Sequence, residues 1–214
     1  MSLTLNAAEA KKADQFSSVI RESGKYVGII TRAEKLLSRN NVEGVGISFK
    51  TDDNASANYL DLYTVKPGGE KLRGYNLVQA ILCCTRTKDA EEGPITFERW
   101  DQDERRLVQA TEPGYPALMG KRIGLVLQRE LGTNANTGTD TDRMNIVGVF
   151  EPSTELTSTE ILDNRTKPER LAKVVRMIEL NPVRDTRKRA GAPAARPITP
   201  PAKDGAPFDD DIPF

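Results

Sequence analysis

Apolar side chains recur at every second position through much of the first third of the chain, the period of a β-strand with two unlike faces. In KYVGIITRAEKLL, Val27, Ile29, Thr31 and Ala33 fall on one face and Tyr26, Gly28, Ile30 and Arg32 on the other. Gly28 marks a bend or a close approach of backbones. VGISFK sets Val45, Ile47 and Phe49 against Gly46, Ser48 and Lys50, and NYLDLYTVK turns Leu60 and Leu62 inward with Tyr59, Asp61 and Tyr63 outward. The polar turns SRNNVEG and TDDNASA join these three strands into a meander. The period then changes. Leu77, Ala80, Ile81 and Cys84 lie at i, i+3, i+4 and i+7, which predicts an amphipathic helix of about three turns. Residues 86–119 are charged and rich in turn residues and predict an irregular insertion. GKRIGLVLQREL and RMNIVGVF predict two further strands, joined by the flexible polar loop GTNANTGTDTD.

The resulting order, β-β-β-α-β-β, is that of an OB-fold, a five-stranded Greek-key barrel. An open α+β sheet of the same order is the alternative. Residues 6–22 predict a short helix with Asn6 as N-cap and Phe16, Val19 and Ile20 at helical spacing. TKPERLAKVVRMIELNP predicts another, with Thr166 and Glu169 in capping-box spacing and Leu171, Val174, Val175 and Ile178 on one stripe. That helix either packs on the barrel or makes an oligomer contact. The expected organisation is an N-terminal helical extension over 1–22 and an OB-fold domain over 23–182, with an insertion at 86–119 and a C-terminal helix at 166–181. A disordered basic Pro/Ala-rich linker over 183–207 and an acidic tip over 208–214 follow.

Composition narrows the chemistry. The 214 residues are 37% hydrophobic and 29% charged, polar for one wholly compact domain. The absence of histidine removes the commonest general base and zinc ligand. Cys83 and Cys84 are adjacent, which suits buried thiols in a reducing cytosol better than a disulfide. No apolar run approaches the roughly 18 residues of a membrane span, and no signal-peptide core is present, so a soluble cytoplasmic protein is expected. Glu98, Asp101, Asp103 and Glu104 suggest magnesium-dependent nuclease chemistry, but Arg99, Arg105 and Arg106 interleave them and a salt-bridged surface is the preferred reading. No phosphate-binding glycine loop occurs, and neither an enzymatic activity nor a cofactor or metal is expected.

The chain ends on Phe208, Asp209, Asp210, Asp211, Ile212, Pro213 and Phe214. This peptide resembles the acidic C-terminal tip of bacterial single-stranded DNA-binding proteins, at the same terminal position and after a Pro-rich linker. The body, in LMGKRIGLVLQRE followed by NIVGVF, is similar to phage- or prophage-encoded single-stranded DNA-binding proteins. GKYVGIITRAEKLL lacks the bacterial family's N-terminal strand motif, which leaves its tetramer in question; a homo-oligomer remains compatible with the sequence. The resemblance implies binding and protection of single-stranded DNA in replication, recombination and repair, in a bacterial cytosol or phage-infected cell. It also implies docking of partner enzymes on the tip. There Phe214 and Ile212 would enter apolar pockets, Pro213 would limit the entropy lost, and the aspartates would meet a basic rim. An adaptor that uses the tip without binding DNA is the alternative.

Single-strand binding needs exposed aromatic rings and a basic groove. Tyr59 and Tyr63 on the outer face of the third strand are the leading stacking pair, or they cover a patch beneath the insertion. Tyr26 and Arg32 share a face of the first strand, and Lys50 lies on the polar face of the second. Lys66, Lys71 and Arg73 follow the third strand, and Arg122 and Arg129 bracket the fourth. Trp100 is either an anchor that fixes its loop, the reading preferred here, or a stacking residue.

Overall fold

A computed structural model describes residues 19–101, 103–134 and 137–187. Three strands, β1 (Gly24–Leu37), β2 (Glu43–Thr51) and β3 (Ser56–Val65), form the expected meander, followed by helix α1 (Arg73–Cys84). A hairpin of β4 (Gly93–Asp101) and β5 (Arg106–Gly114) leads to β6 (Arg122–Thr133) and β7 (Asp140–Phe150). Two helices, α2 (Ser158–Leu162) and α3 (Arg170–Leu180), precede a short β8 (Val183–Asp185). The body is mainly β: one open eight-stranded sheet, antiparallel except where β8 runs parallel to β6. No helix among the described residues is long and apolar enough to cross a membrane.

β1 organises the sheet. It pairs with β2 over Gly28–Leu37, with β6 over Gly24–Ile29, and with β5 at the single bridge Glu34–Gly114. The path β3-β2-β1-β6-β7 therefore turns through one strand. At Gly28 the backbones come so close that a Cβ would sit 2.1 Å from the Lys50 carbonyl oxygen, which explains glycine there. No ladder joins β3 to β7 among the described residues, so the sheet stays open, and α1 packs against both strands.

The alternation of β2 and β6 holds as read. Val45, Ile47 and Phe49 are buried, as are Leu60, Leu62, Ile123, Leu125 and Leu127, together with Ile81 and Cys84 of α1. The alternation of β1 does not hold throughout. A bulge between Ile30 and Arg32 resets the phase, so Ile30 and Ala33 both enter the core while Ile29 is exposed. On the other side of β6, Val126 and Phe150 pack against Leu171 and Ile178 of α3, which covers the sheet as one of the two expectations for that helix held. Each such aliphatic side chain contributes about 1.5–3 kcal/mol.

Four expectations need correction. Residues 86–119 are not irregular, because Gly93–Asp101 and Arg106–Gly114 pair in unbroken register. Their turn is held by the Asp101 carboxylate, which accepts from the amides of Asp103 and Glu104 at 2.8 and 2.9 Å. The polar loop after β6 is shorter than expected, since pairing continues to Thr133–Asp140. Order does not end at Val183: β8 takes the edge of β6 at Arg129–Leu131, just past the last β1 pair, Gly24–Leu127. The described end of the N-terminal extension is not helical, because Val19 bridges Ser56 and the Ile20 amide donates to the Ser56 carbonyl at 2.8 Å. The rest of that extension, most of the linker and the tip lie outside the described residues.

The capping box also sits elsewhere. Thr157 and Glu160 of α2 form it, and α3 starts at Arg170 rather than at Thr166. The fully buried Glu160 carboxylate accepts from Thr157 through one oxygen, and from the amides of Glu169 and Arg170, at 2.7 and 2.8 Å, through the other. Burial alone would raise its pKa, but these donors together hold it down at about 2. Because the folded pKa lies below the unfolded value near 4.3, the stabilisation is complete above that pH and is lost as pH falls toward 2. Glu160→Gln is therefore expected to lower stability at pH 7 by about 2–3 kcal/mol. It should also flatten the acid limb of the stability profile, as measured by urea unfolding at stepped pH.

Candidate nucleic-acid interface

The outer face of β1–β3 is shaped by two bulges placed opposite each other. Arg32 pairs across with Ser48, just past the β1 bulge. On β3, Asn58 and Tyr59 together face Ser48, between the pairs Ile47–Leu60 and Phe49–Ala57. Tyr59 takes φ 58°, the left-handed region that a bulky residue rarely adopts. This lifts its ring out of the sheet, leaving it 66% exposed.

The β4–β5 hairpin stands beside this face and closes a cleft of about 530 Å³. Arg32, Ser48, Lys50 and Tyr59 line the sheet side, and Phe97, Arg99, Trp100 and Leu107 the hairpin side. Trp100 pairs across the hairpin with Leu107 and is 56% exposed, so it does not anchor the segment as preferred above; it stands on the rim. The anchor is Phe97, which is buried with Ile95 and Ala110.

Arg32 is the buried centre of the cleft. Its guanidinium lies 4.9 Å from the Tyr59 ring centroid and 5.4 Å from that of Phe97, and pairs with Glu34 at 3.2 Å. Contacts of this kind contribute about 0.5–2 kcal/mol each. Its Nε is the one buried side-chain nitrogen or oxygen without a hydrogen-bond partner among the described residues. Lys50 is exposed and forms no ion pair with a described residue, whereas Arg99 pairs loosely with Glu112 at 3.3 Å.

Of the residues singled out in the sequence, Arg32, Lys50, Tyr59 and Trp100 converge here. The others do not. Tyr26 packs on the core and its hydroxyl donates to the Glu22 carbonyl at 2.8 Å, because the β1 phase before the bulge turns it inward. Tyr63 and Arg73 line a separate, smaller hollow between β3 and β7, with Asp61 standing between the two tyrosines. Lys66 pairs with Glu70 at 2.8 Å, and Lys71 lies over the Tyr75 ring. Arg122 and Arg129 are held by Asp52 and Asp142 in two-pronged ion pairs. The acidic run at the hairpin end serves its turn, with Glu104 pairing with Arg106.

Phe97, Arg99 and Leu107 were missed, although ITFERW and RLVQAT alternate on either side of an Asp-rich turn and so carry a hairpin signal. Cys84 is buried, and its thiol is pushed up to about 12, which makes it unreactive. No group of metal-binding side chains occurs among the described residues. Compared with known protein families and with curated proteins, the sequence finds no match.

The left-handed backbone at Tyr59 separates shape from chemistry. Asn tolerates this region, so Tyr59→Asn is expected to change folding stability by less than about 1 kcal/mol. Tyr59→Val, branched at Cβ, should lose about 1–3 kcal/mol. Thermal unfolding of the two variants checks this.

Proposed function

We propose that this protein binds single-stranded DNA in the cleft between the outer face of β1–β3 and the β4–β5 hairpin. The observation that carries this reading is the convergence of the Tyr59, Phe97 and Trp100 rings with Arg32, Lys50 and Arg99 in one open groove. The exposed Tyr59 and Trp100 rings stack on bases whatever their sequence, at about 1–3 kcal/mol per base, the buried Phe97 backs the groove, and the exposed Lys50 and Arg99 meet the backbone. The β3-β2-β1-β6-β7 order, with α1 between β3 and β6, is read as an OB-fold whose β3–β7 seam is filled by α1 rather than by a ladder.

The terminal peptide Phe208–Phe214 supports the second half of the proposal, recruitment of replication, recombination and repair enzymes to the coated strand. The structure follows the chain to Arg187, beside the β6–β7 hairpin, where Arg187 pairs with Asp140 at 3.7 Å.

Titration of intrinsic fluorescence with oligo(dT) tests the first half. Saturable quenching is expected, and Tyr59→Ala combined with Trp100→Ala should weaken binding about tenfold or more while the protein stays folded. For about five phosphate contacts, log affinity should fall with log salt at a slope of roughly −3 to −4; a flat salt dependence contradicts the basic groove. Deleting Asp209–Phe214 should abolish capture of partner enzymes and leave oligo(dT) affinity equal or slightly higher. Absence of DNA binding by both the full chain and the deletion variant would favour an adaptor.

A further inference from the structure

The cleft has a neighbour. A second hollow of about 360 Å³ lies between the start of β3 and β7, and the two share Asn58 and Tyr59 as a common wall. Val19, Arg21, Arg143 and Met144 line its other sides. Its charge is unbalanced toward positive. Arg21 is exposed and forms no ion pair with a described residue. The buried Glu130 carboxylate is met by two arginines, Arg143 at 2.6 Å and Arg184 at 3.5 Å. Asp142, the acidic residue of the hollow, is already neutralised by Arg129 at 2.7 Å. Apolar surface is present beside the charge, since Val19 is 59% exposed and Met144 is half-buried.

We infer that the bound strand does not stop at the hairpin cleft but crosses Tyr59 into this second subsite, where Arg21 and Arg143 take phosphates and Val19 and Met144 take a base. The inference rests on the single-strand reading above and extends it. Tyr59 then has a reason for its left-handed backbone: a ring raised on the ridge between two hollows presents a face to each. Tyr63, on the far side of Asp61, lies off this path, and the route runs across β3 rather than along it. A polyanion follows that direction because Lys50, Arg32, Arg143 and Arg21 line the two hollows, and the charge of the nearby Asp61 carboxylate is offset by Arg32 and Arg143.

The test compares two lengths of labelled oligo(dT), about four and about twelve nucleotides, by fluorescence anisotropy on the full chain. Arg21→Glu is expected to weaken binding of the longer oligonucleotide about tenfold and to leave the shorter within about twofold. Equal losses at both lengths, or no loss at either, overturn the second subsite even though the cleft binds. Failure of the unaltered protein to bind either length overturns the single-strand reading itself. As a measurement free of any variant, photo-crosslinking of the longer oligonucleotide bearing 5-iodouracil should label Met144 as well as the Tyr59 segment. Labelling confined to the hairpin and Tyr59 places the path elsewhere.

Discussion

β1 gives one edge to β2 and the other to β6, and the two ladders overlap only at Gly28 and Ile29. A strand that serves two neighbours in this way must bend where it changes hands, and a side chain at position 28 would meet the Lys50 carbonyl. Gly28 removes that obstacle. The Ile30–Arg32 bulge, a few residues later, adds the twist that carries the second half of β1 across β2. The rest follows from this crossing. β6 and β7 continue from the first half, β2 and β3 from the second, and α1 fills the space left between β3 and β7.

The same bulge makes the candidate site. It turns Arg32 outward onto Ser48, opposite the Asn58–Tyr59 bulge of β3, so two local irregularities meet across one central strand. Arg32 then lies under Tyr59 and against Phe97, paired with Glu34 but with its Nε unpartnered. An unpartnered buried donor costs about 1–3 kcal/mol, and two ring contacts and an ion pair offset that to a similar degree.

Much of the body was legible along the chain. Val45, Ile47 and Phe49 kept strict alternation, and Leu77, Ala80, Ile81 and Cys84 kept helical spacing, because each pattern reports one element facing one core. The site was legible only in part. Arg32, Lys50, Tyr59 and Trp100 were named for their chemistry, but Tyr26 was placed outward and Phe97 was not seen. The error at Tyr26 has one source. Period-2 reading assumes an unbroken pleat, and a bulge changes which face every residue beyond it occupies. The hairpin that holds Phe97 was hidden by charge, since charged residues interrupt both strands and the hydrophobic side chains they bury are Ile95, Phe97 and Ala110.

The sequence by itself determined the first three strands, the helix after them, the lack of histidine and the terminal peptide on which the proposed recruitment of enzymes rests, all properties of residues taken with their near neighbours. Only the tertiary structure decided which rings and cations share a groove. Tyr59 and Trp100 are forty-one positions apart and meet because β1 bulges, β3 bulges and a distant hairpin joins β1 through the single pair Glu34–Gly114. Long-range pairing of that kind leaves no periodic mark on the chain. It depends on which edges remain free after the local elements have formed, and that is settled only when they pack.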